Sequence, residues 1–174
     1  MNGIERGDHH GHLVLHTVRQ VHFHDAGAPV ATMVVPSVFV AVRNEQGALL
    51  LVRRCDSGAW ELPGGRVDVG ESVSSAAVRE TAEEAGVHVR VTGLVGLFTD
   101  PAHVVVAARS GATRQQFVVC LHARAVGGRP RPDGQETSAA AWFAPSAVDA
   151  LPIEPGTACW IRYALSGASE PHLD

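Results

Sequence analysis

A chain of 174 residues is short for two full domains, so we expect a single domain. A composition of 45% hydrophobic and 18% charged residues excludes a wholly disordered chain, and a net charge of −4 offers no basic excess that would indicate a nucleic-acid partner. The three cysteines, Cys55, Cys120 and Cys159, are far apart and form no CxxC pair, which argues against a disulfide scaffold or zinc ribbon and favours a reducing compartment.

No segment of the sequence predicts a membrane anchor or a secretion signal. The longest apolar run, residues 33–42, is interrupted by Pro36 and is about half as long as the roughly 20 residues that a transmembrane helix needs. The first residues include Glu5 and Asp8 and lack the basic start and apolar middle of a signal peptide. We therefore expect a cytoplasmic protein without a membrane partner.

The start of the chain, residues 1–29, is expected to be an N-terminal extension that is partly disordered or supplies an added strand. His22 and His24 alternate with Val21 and Phe23, as on the polar face of a strand. Other histidines crowd the beginning of the extension, and we expect a solvated tail rather than a metal site from His9, His10, His12 and His16.

Two strands and a helix are predicted in the first half of the chain. Valine-rich residues 30–42 predict a strand that a hairpin turn at 44–47 joins to a second strand at 48–54. Residues 72–85 predict the one strong helix, because this segment contains no glycine or proline and stops at Gly86.

Beyond the helix the pattern predicts mainly strands. The predicted strands cover 87–97, 102–108, 113–126 and 140–143, a loop covers 127–134, and helices cover 145–151 and 157–165. Several strands adjoin through short turns, which indicates an α/β protein with a mixed sheet. Residues 167–174 are expected to form a C-terminal tail, and His103, near the turn at Pro101, is expected to be solvated.

Three carboxylates of the predicted helix share one face. Glu80, Glu83 and Glu84 stand at i, i+3 and i+4, which in an α-helix places them side by side. Like charges at this spacing repel one another, so we expect a cation above them, and all-oxygen ligation suits Mg²⁺ or Mn²⁺ better than zinc. The alternative is a solvated acidic face without a ligand. The positions opposite the glutamates are expected to pack into the core, and they are Val78, Ala82 and Ala85.

The residues before the helix strengthen the metal interpretation. Gly64 and Gly65 make a tight turn, and their carbonyl oxygens offer further hard ligands. Arg53 and Arg54 end the preceding strand and are able to place a guanidinium near phosphate oxygens. A metal-loaded carboxylate helix with arginine nearby is suited to the attack of water on a phosphorus centre.

Residues 65–87 resemble the Nudix box, whose pattern is G-x5-E-x7-R-E-U-x-E-E-x-G-U, with U a bulky aliphatic residue. The one departure is Thr81 at the first U position. The resemblance implies a Nudix-type α/β/α sandwich with a mixed β-sheet over residues 30–166. The positions that match the pattern are Gly65, Glu71, Arg79, Glu80, Glu83, Glu84, Gly86 and Val87.

The Nudix resemblance also implies roles for residues of the box. Glu80, Glu83 and Glu84 would hold the metals, and Glu80 is also a candidate base. Arg79 would orient Glu80 by a charge-assisted hydrogen bond, and the carbonyl of Gly64 would be a further ligand. Glu71 would support Arg79 or a metal-bound water, and the structural positions of the motif are Gly65, Glu71 and Gly86.

Many members of the family add a glutamate from a distal loop. Glu136 is the candidate for this catalytic and metal-binding acid, because it precedes Trp142 in a segment similar to the family's E-x-x-E-x-x-W, in which Ala139 replaces the second glutamate. The alternative is a surface loop acid. Candidates for binding the substrate's phosphates, with surface salt bridges as their alternative, are Arg53, Arg54 and Arg114.

The resemblance implies a metal-dependent hydrolase that cleaves the pyrophosphate linkage of a nucleoside diphosphate joined to another moiety, such as ADP-ribose or a nucleotide sugar. Pro101, near the proline position of ADP-ribose hydrolases, and the N-terminal extension favour this substrate class. The alternatives are a sanitising pyrophosphohydrolase of oxidised (d)NTPs and a catalytically inactive binding or regulatory module. We expect Mg²⁺ as cofactor, with Mn²⁺ as a substitute, and a small-molecule nucleotide as partner. Nucleic acid is not expected, and a homodimer is compatible with the sequence.

Overall fold

The computed structural model describes residues 18–108 and 110–174. These residues form one sheet of ten strands, two α-helices and a 3-10 helix, Pro145–Ala150. The helices are α1 (Val73–Ala85) and α2 (Pro155–Leu165). The strands are β1 (Gln20–Phe23), β2 (Met33–Arg43), β3 (Leu49–Arg54), β4 (Trp60–Glu61), β5 (Gly64–Arg66), β6 (Val87–Phe98), β7 (His103–Val106), β8 (Thr113–Gly128), β9 (Thr137–Phe143) and β10 (His172–Leu173).

The long strand β8 organises the sheet. It pairs in parallel with β2 along one edge, from Met33↔Arg114 to Arg43↔Arg124. Along its other edge it pairs antiparallel with β7 and then with β6. Strand β3 pairs antiparallel with both β4 and β9, and β5 pairs antiparallel with β2. The sheet is therefore mixed, as the hairpin pattern of the sequence predicts.

Both faces of the sheet are covered, each by one α-helix. Side chains of β2 alternate between the two sides, because successive residues of a strand point to opposite faces. Val38 and Val40 pack in the core under α1, whereas Phe39 packs with Trp160 of α2 in the other core. This arrangement confirms the predicted α/β/α sandwich with a mixed β-sheet.

Helix α1 has the start and the stop that its sequence predicts. The side chain of Ser72 accepts a hydrogen bond from the backbone N–H of Ser75 and so caps the first turn. Gly86 follows the last turn with φ 66°, a left-handed conformation that glycine adopts without strain, and its N–H donates to Ala82 O. These caps fix the register in which the glutamates meet the sheet.

The face of α1 that packs on the sheet differs from the predicted one. Val78, expected in the core, is 39% exposed, and Ala82 is only partly buried, whereas Ala85 is buried as predicted. The buried arc contains small side chains and Glu84 itself. The helix lies close to β5, so the small residues and Glu84 turn towards the sheet while the bulkier Val78 turns to solvent. The acidic face and the buried face therefore overlap instead of opposing each other.

His103 is also buried, contrary to the expectation that it is solvated. Its side chain is in the core at 6% exposure, with ring centroids 5.3 Å from Phe23 and 5.6 Å from Trp160. Burial lowers the pKa of His103 to about 4, so this imidazole is neutral at pH 7. The sequence around Pro101 did not indicate that α2 and β1 both cover this position.

Short strands lie near both ends of the described chain. Strand β1 pairs antiparallel with β7, and β10, in the segment expected as a tail, pairs in parallel with β6. The predicted tail histidines His9, His10, His12 and His16 lie outside the described residues. Within the described residues, no helix has the length and apolar character needed to cross a membrane.

Candidate active site

A cavity of about 490 Å³ opens beside α1, between the end of β5 and the first half of β8. Its lining contains two groups of charged residues. The acidic cluster consists of Glu80, Glu83, Glu84 and Glu136. The arginine cluster consists of Arg19, Arg54, Arg66 and Arg114. A cavity with carboxylates in one part and guanidinium groups in another is suited to a metal-bound anion such as a phosphate chain.

Two glycines allow β5 to approach its neighbours closely. A Cβ atom at Gly64 would collide with the backbone of β2 at Val38, and a Cβ at Gly65 would collide with the Glu80 carboxylate. The backbone N–H of Gly64 donates to Glu84 Oε2 at 2.9 Å. Glycine at both positions therefore lets β5 pack directly against the backbone of β2 and against the Glu80 carboxylate.

Arg79 links the helix acids to the loop before the helix. Its guanidinium makes two hydrogen bonds of 2.8 Å to the carboxylate of Glu71. It also lies 2.9 Å from Glu80 Oε1 and 3.2 Å from Glu83 Oε2. The bond to Arg79 lowers the pKa of Glu71, and the bond to Glu71 in turn raises the pKa of Arg79. The predicted contacts of Arg79 with Glu71 and Glu80 are thus both present.

The carboxyls of Glu80 and Glu84 are held away from water. Glu84 is 4% exposed, and burial raises its pKa to about 9. Negative charge on Glu61, Glu80 and Glu136 contributes to this shift, while the Gly64 N–H opposes it. Burial also raises the pKa of Glu80. A cation bound here would offset the repulsion that opposes ionisation of these groups.

Glu136 joins the acidic cluster from the turn before β9. Its backbone N–H donates to Asp133 Oδ1 at 3.0 Å, and its carbonyl accepts from the N–H of Cys55 at 2.8 Å. Its charge acts on both Glu80 and Glu84. The structure thus brings the loop acid to the helix acids. Ala139, which replaces the family's second glutamate, pairs with Arg53 in the sheet.

The acidic cluster has the donor chemistry of a divalent-cation site. Its oxygens, with the nearby backbone of Gly64, are hard ligands, and its carboxyls are buried or mutually repelling. In the described residues no three Asp, Glu, His or Cys side chains already converge on one point. The carboxylates of Glu80 and Glu83 are engaged by Arg79 instead, so a cation would share them with this arginine.

The predicted phosphate-binding arginines have different surroundings. Arg114 lines the cavity, and burial, with the charges of Arg19, Arg66 and Arg54, lowers its pKa. Arg54 also lines the cavity, but it is bonded to Asp56 and Glu61 at 2.7–2.8 Å. Arg53 is not brought to the cavity.

The guanidinium of Arg53 lies on the surface, away from the cavity. Arg53 is exposed, and its Nε donates to the carbonyl of Gly58 at 3.1 Å. Successive residues of β3 point to opposite sides, so only one of the two neighbouring arginines is able to reach the cavity. The sequence did not indicate which one.

Six polar residues of the cavity lining were missed by sequence reasoning. Arg19 lies 3.0 Å from Glu154 Oε2 and 3.6 Å from the buried Glu61. No sequence signal marks Arg19, because its partners are far along the chain. Gln116 had a signal, since it is a polar residue on the inward side of an otherwise apolar strand. The other polar lining residues without a sequence signal are Ser37, Arg66, Asp68 and Ser110.

Known proteins share this fold and sequence pattern. The NUDIX domain family model matches residues 33–164. A protein of Bacillus subtilis (strain 168) named "Putative 8-oxo-dGTP diphosphatase" is 36% identical over 113 residues, which are 65% of this chain and 68% of that protein. A MutT-like protein of Streptomyces ambofaciens is 33% identical over 137 residues, 79% of this chain and 80% of that protein.

Among solved structures, an ADP-ribose pyrophosphatase from Streptococcus suis 89-1591 superposes with a TM-score of 0.60. It is 27% identical, and the match covers 80% of this chain and 98% of that one. The family match covers most of the chain and includes helix α1 with Arg79, the glycines of β5 and Glu136. The chain therefore belongs to the Nudix family and is a Nudix pyrophosphohydrolase.

Proposed function

We propose that this enzyme cleaves the pyrophosphate linkage of a nucleoside diphosphate joined to a second moiety, such as ADP-ribose or a nucleotide sugar. The observation that carries the proposal is the composition of the cavity beyond the acidic cluster. The guanidinium group of Arg114 lines this part of the cavity together with the neutral hydrogen-bonding groups of Gln116 and Ser37. Cationic groups bind phosphate, and neutral polar groups bind hydroxyls.

We propose that Mg²⁺, or Mn²⁺ in its place, is held by the acidic cluster and the carbonyl of Gly64, where it neutralises phosphate oxygens and activates water. Arg79 keeps the carboxylate of Glu80 in position through a contact of 2.9 Å. The proposed base that accepts a proton from the attacking water is Glu80, with Glu136 as the alternative, and both line the cavity. Arg66 and Arg114 bind the phosphate oxygens that the acidic cluster would otherwise repel.

The second candidate function is hydrolysis of oxidised (d)NTPs. Two observations favour it: the name of the Bacillus subtilis relative, and the arginine cluster of the cavity, which suits a third phosphate. Pro101 no longer supports the ADP-ribose class, because it lies on an exposed turn outside the cavity lining. Arg54 is already bonded to the carboxylates of Asp56 and Glu61, which leaves one guanidinium group fewer for an additional phosphate.

A hydrolysis screen tests the proposal. ADP-ribose, nucleotide sugars, dinucleotides and triphosphates are each incubated with Mg²⁺ or Mn²⁺, and the products are separated by chromatography. We expect ADP-ribose to yield AMP and ribose 5-phosphate, or a nucleotide sugar to yield a nucleoside monophosphate and a sugar phosphate. Turnover of triphosphates alone, with release of inorganic pyrophosphate, would contradict the proposal. Glu84→Gln protein serves as the control for a contaminating hydrolase.

A further inference from the structure

Unpaired polar atoms are concentrated in the cavity. In the part of the chain that the structure describes, four side-chain nitrogen or oxygen atoms are buried without a hydrogen-bond partner. Three of them belong to residues that line the cavity: Arg19 Nε, Arg114 Nε and Gln116 Oε1. Buried polar groups are almost always hydrogen-bonded in native proteins, so three in one cavity indicate that a ligand completes them.

Gln116 provides the most specific requirement. It is 3% exposed and stands two residues from Arg114 on β8, so both side chains point to the same face of the sheet. Its Oε1 is an acceptor, and a phosphate oxygen has no proton to donate to it. A ligand group that bonds to Gln116 Oε1 therefore carries a donor such as a hydroxyl.

Arg114 and Arg19 provide the charge requirement. Arg114 is partly buried among Arg19, Arg54 and Arg66, and the positive charge of these neighbours lowers its pKa together with burial. A bound anion would offset the repulsion between these guanidinium groups. Arg19 is anchored by the carboxylates of Glu154 and Glu61, so its position does not depend on the ligand.

The surroundings of these three residues do not suit a nucleobase. Among the residues that line the cavity, Phe39 is the one aromatic side chain, and it is 5% exposed because it packs against Trp160. A base is held by stacking on an aromatic or planar surface, whereas hydroxylated sugars are held by polar groups. The ligand of this part of the cavity is therefore anionic, hydroxylated and without a base.

We propose that Arg19, Arg114 and Gln116 form a subsite for the sugar phosphate on the side of the substrate away from the nucleoside. This inference rests on the proposed function, since only a nucleoside diphosphate joined to a second sugar contains such a group. The three residues determine specificity and take no part in the chemical step. Arg19 comes from the segment before β1, so that segment contributes to substrate selection.

Calorimetric binding of ribose 5-phosphate and of AMP, in Mg²⁺, tests the subsite without turnover. The variants are Gln116→Leu and Arg114→Met. Matched controls are Gln115→Leu, a neighbour whose amide donates to Thr99 O, and Arg124→Met, an exposed arginine of the same strand. We expect both subsite variants to weaken ribose 5-phosphate binding at least about tenfold while AMP binding changes less than about twofold. Both control variants should bind as wild type does.

Three results would overturn the inference: no binding of ribose 5-phosphate by wild type, unchanged binding in both subsite variants, or equal losses for AMP and ribose 5-phosphate.

Kinetics separate this failure from failure of the proposed function. If the wild-type enzyme cleaves ADP-ribose and the subsite variants have the wild-type KM for ADP-ribose, the proposed function stands but the subsite does not. If the wild-type enzyme cleaves only triphosphates, both the proposed function and the subsite are wrong. In support, the subsite variants would raise the KM of ADP-ribose and leave kcat nearly unchanged.

Discussion

Glu84 combines burial with a predicted role in metal binding. It is held between small residues of α1 and accepts a hydrogen bond from the Gly64 N–H. Burial opposes ionisation of this carboxyl, so a glutamate at this position lowers the stability of the folded protein. Such a residue is expected to matter more for turnover than for the fold.

Glu84→Gln and Glu83→Gln should therefore remove most turnover while the fold survives. Losing a carboxylate ligand from a hard-cation site weakens the charge stabilisation of the reaction. We expect kcat to fall more than about 100-fold, beyond the effect of a supporting contact. The measurement is kcat at saturating Mg²⁺ beside a circular-dichroism melt, with Glu45→Gln in the exposed turn as the matched control. Near-wild-type turnover in both variants would show that the metal assignment is wrong.

The pH dependence of stability follows from the same residue. The pKa of Glu84 is about 9 in the folded protein against an ordinary 4.5, so the folded state binds more protons between these values. Stability of the metal-free protein should therefore fall as pH rises through this window. We expect the melting temperature in chelator to decline from pH 5.5 to 8.5 in wild type, and to decline less in Glu84→Gln. Parallel curves for the two proteins would contradict this explanation.

Glu136 lies on a turn rather than on the helix, and this difference predicts a smaller effect. Its backbone is fixed by Asp133 and Cys55, but its carboxylate is exposed. We expect Glu136→Gln to lower kcat about 10- to 100-fold, as for a supporting contact, and less than Glu84→Gln does. If Glu136→Gln proved more damaging, the auxiliary role would belong to Glu84 and the principal one to Glu136.

At the level of secondary structure, β1 connects the N-terminal segment to the cavity. Its pairing with β7, which pairs with β8, places Arg19 near Arg114. Arg19 also neutralises Glu61 and Glu154, two buried or partly buried acids. The segment up to residue 11 precedes all of these contacts.

A truncation series separates the two parts of this segment. Deleting residues 1–11 should leave activity unchanged and the melting temperature within about 2 °C of wild type. Deleting residues 1–19 should lower the melting temperature, because Glu154 loses its cationic partner and Glu61 keeps only Arg54. It should also raise KM, because Arg19 lines the cavity. Arg19→Met in the full chain should reproduce the change in KM. A large loss on deleting only residues 1–11 would show instead that this part docks on the domain or on a second subunit.

Local sequence signals predicted the elements well but not the faces they bury. The helix and its end at Gly86 were predictable because glycine at a left-handed position is a local requirement. The exposure of Val78 was not, because helical spacing gives the angles between residues and not the side on which the sheet lies. Arg19 and Glu154 are 135 residues apart, so no local pattern connects them.

At the scale of the whole molecule, charge is distributed unevenly. The net charge of −4 conceals a cavity in which four arginines and four glutamates form separate clusters. The acidic cluster was predictable, because its helix residues belong to one motif of known spacing. The arginine cluster was only partly predictable, because its members come from four separate segments of the chain. Substrate choice depends on the second cluster, which explains why the motif alone does not determine it.

Competition between two substrates in one reaction tests the central claim most directly. ADP-ribose and 8-oxo-dGTP are mixed at equal concentration with Mg²⁺, and chromatography follows AMP with ribose 5-phosphate against 8-oxo-dGMP with pyrophosphate. The ratio of the two rates is the ratio of kcat/KM values, which measures transition-state discrimination. We expect ADP-ribose to be consumed faster. A preference of more than about tenfold for 8-oxo-dGTP, roughly 1.4 kcal/mol, would contradict the proposed substrate class.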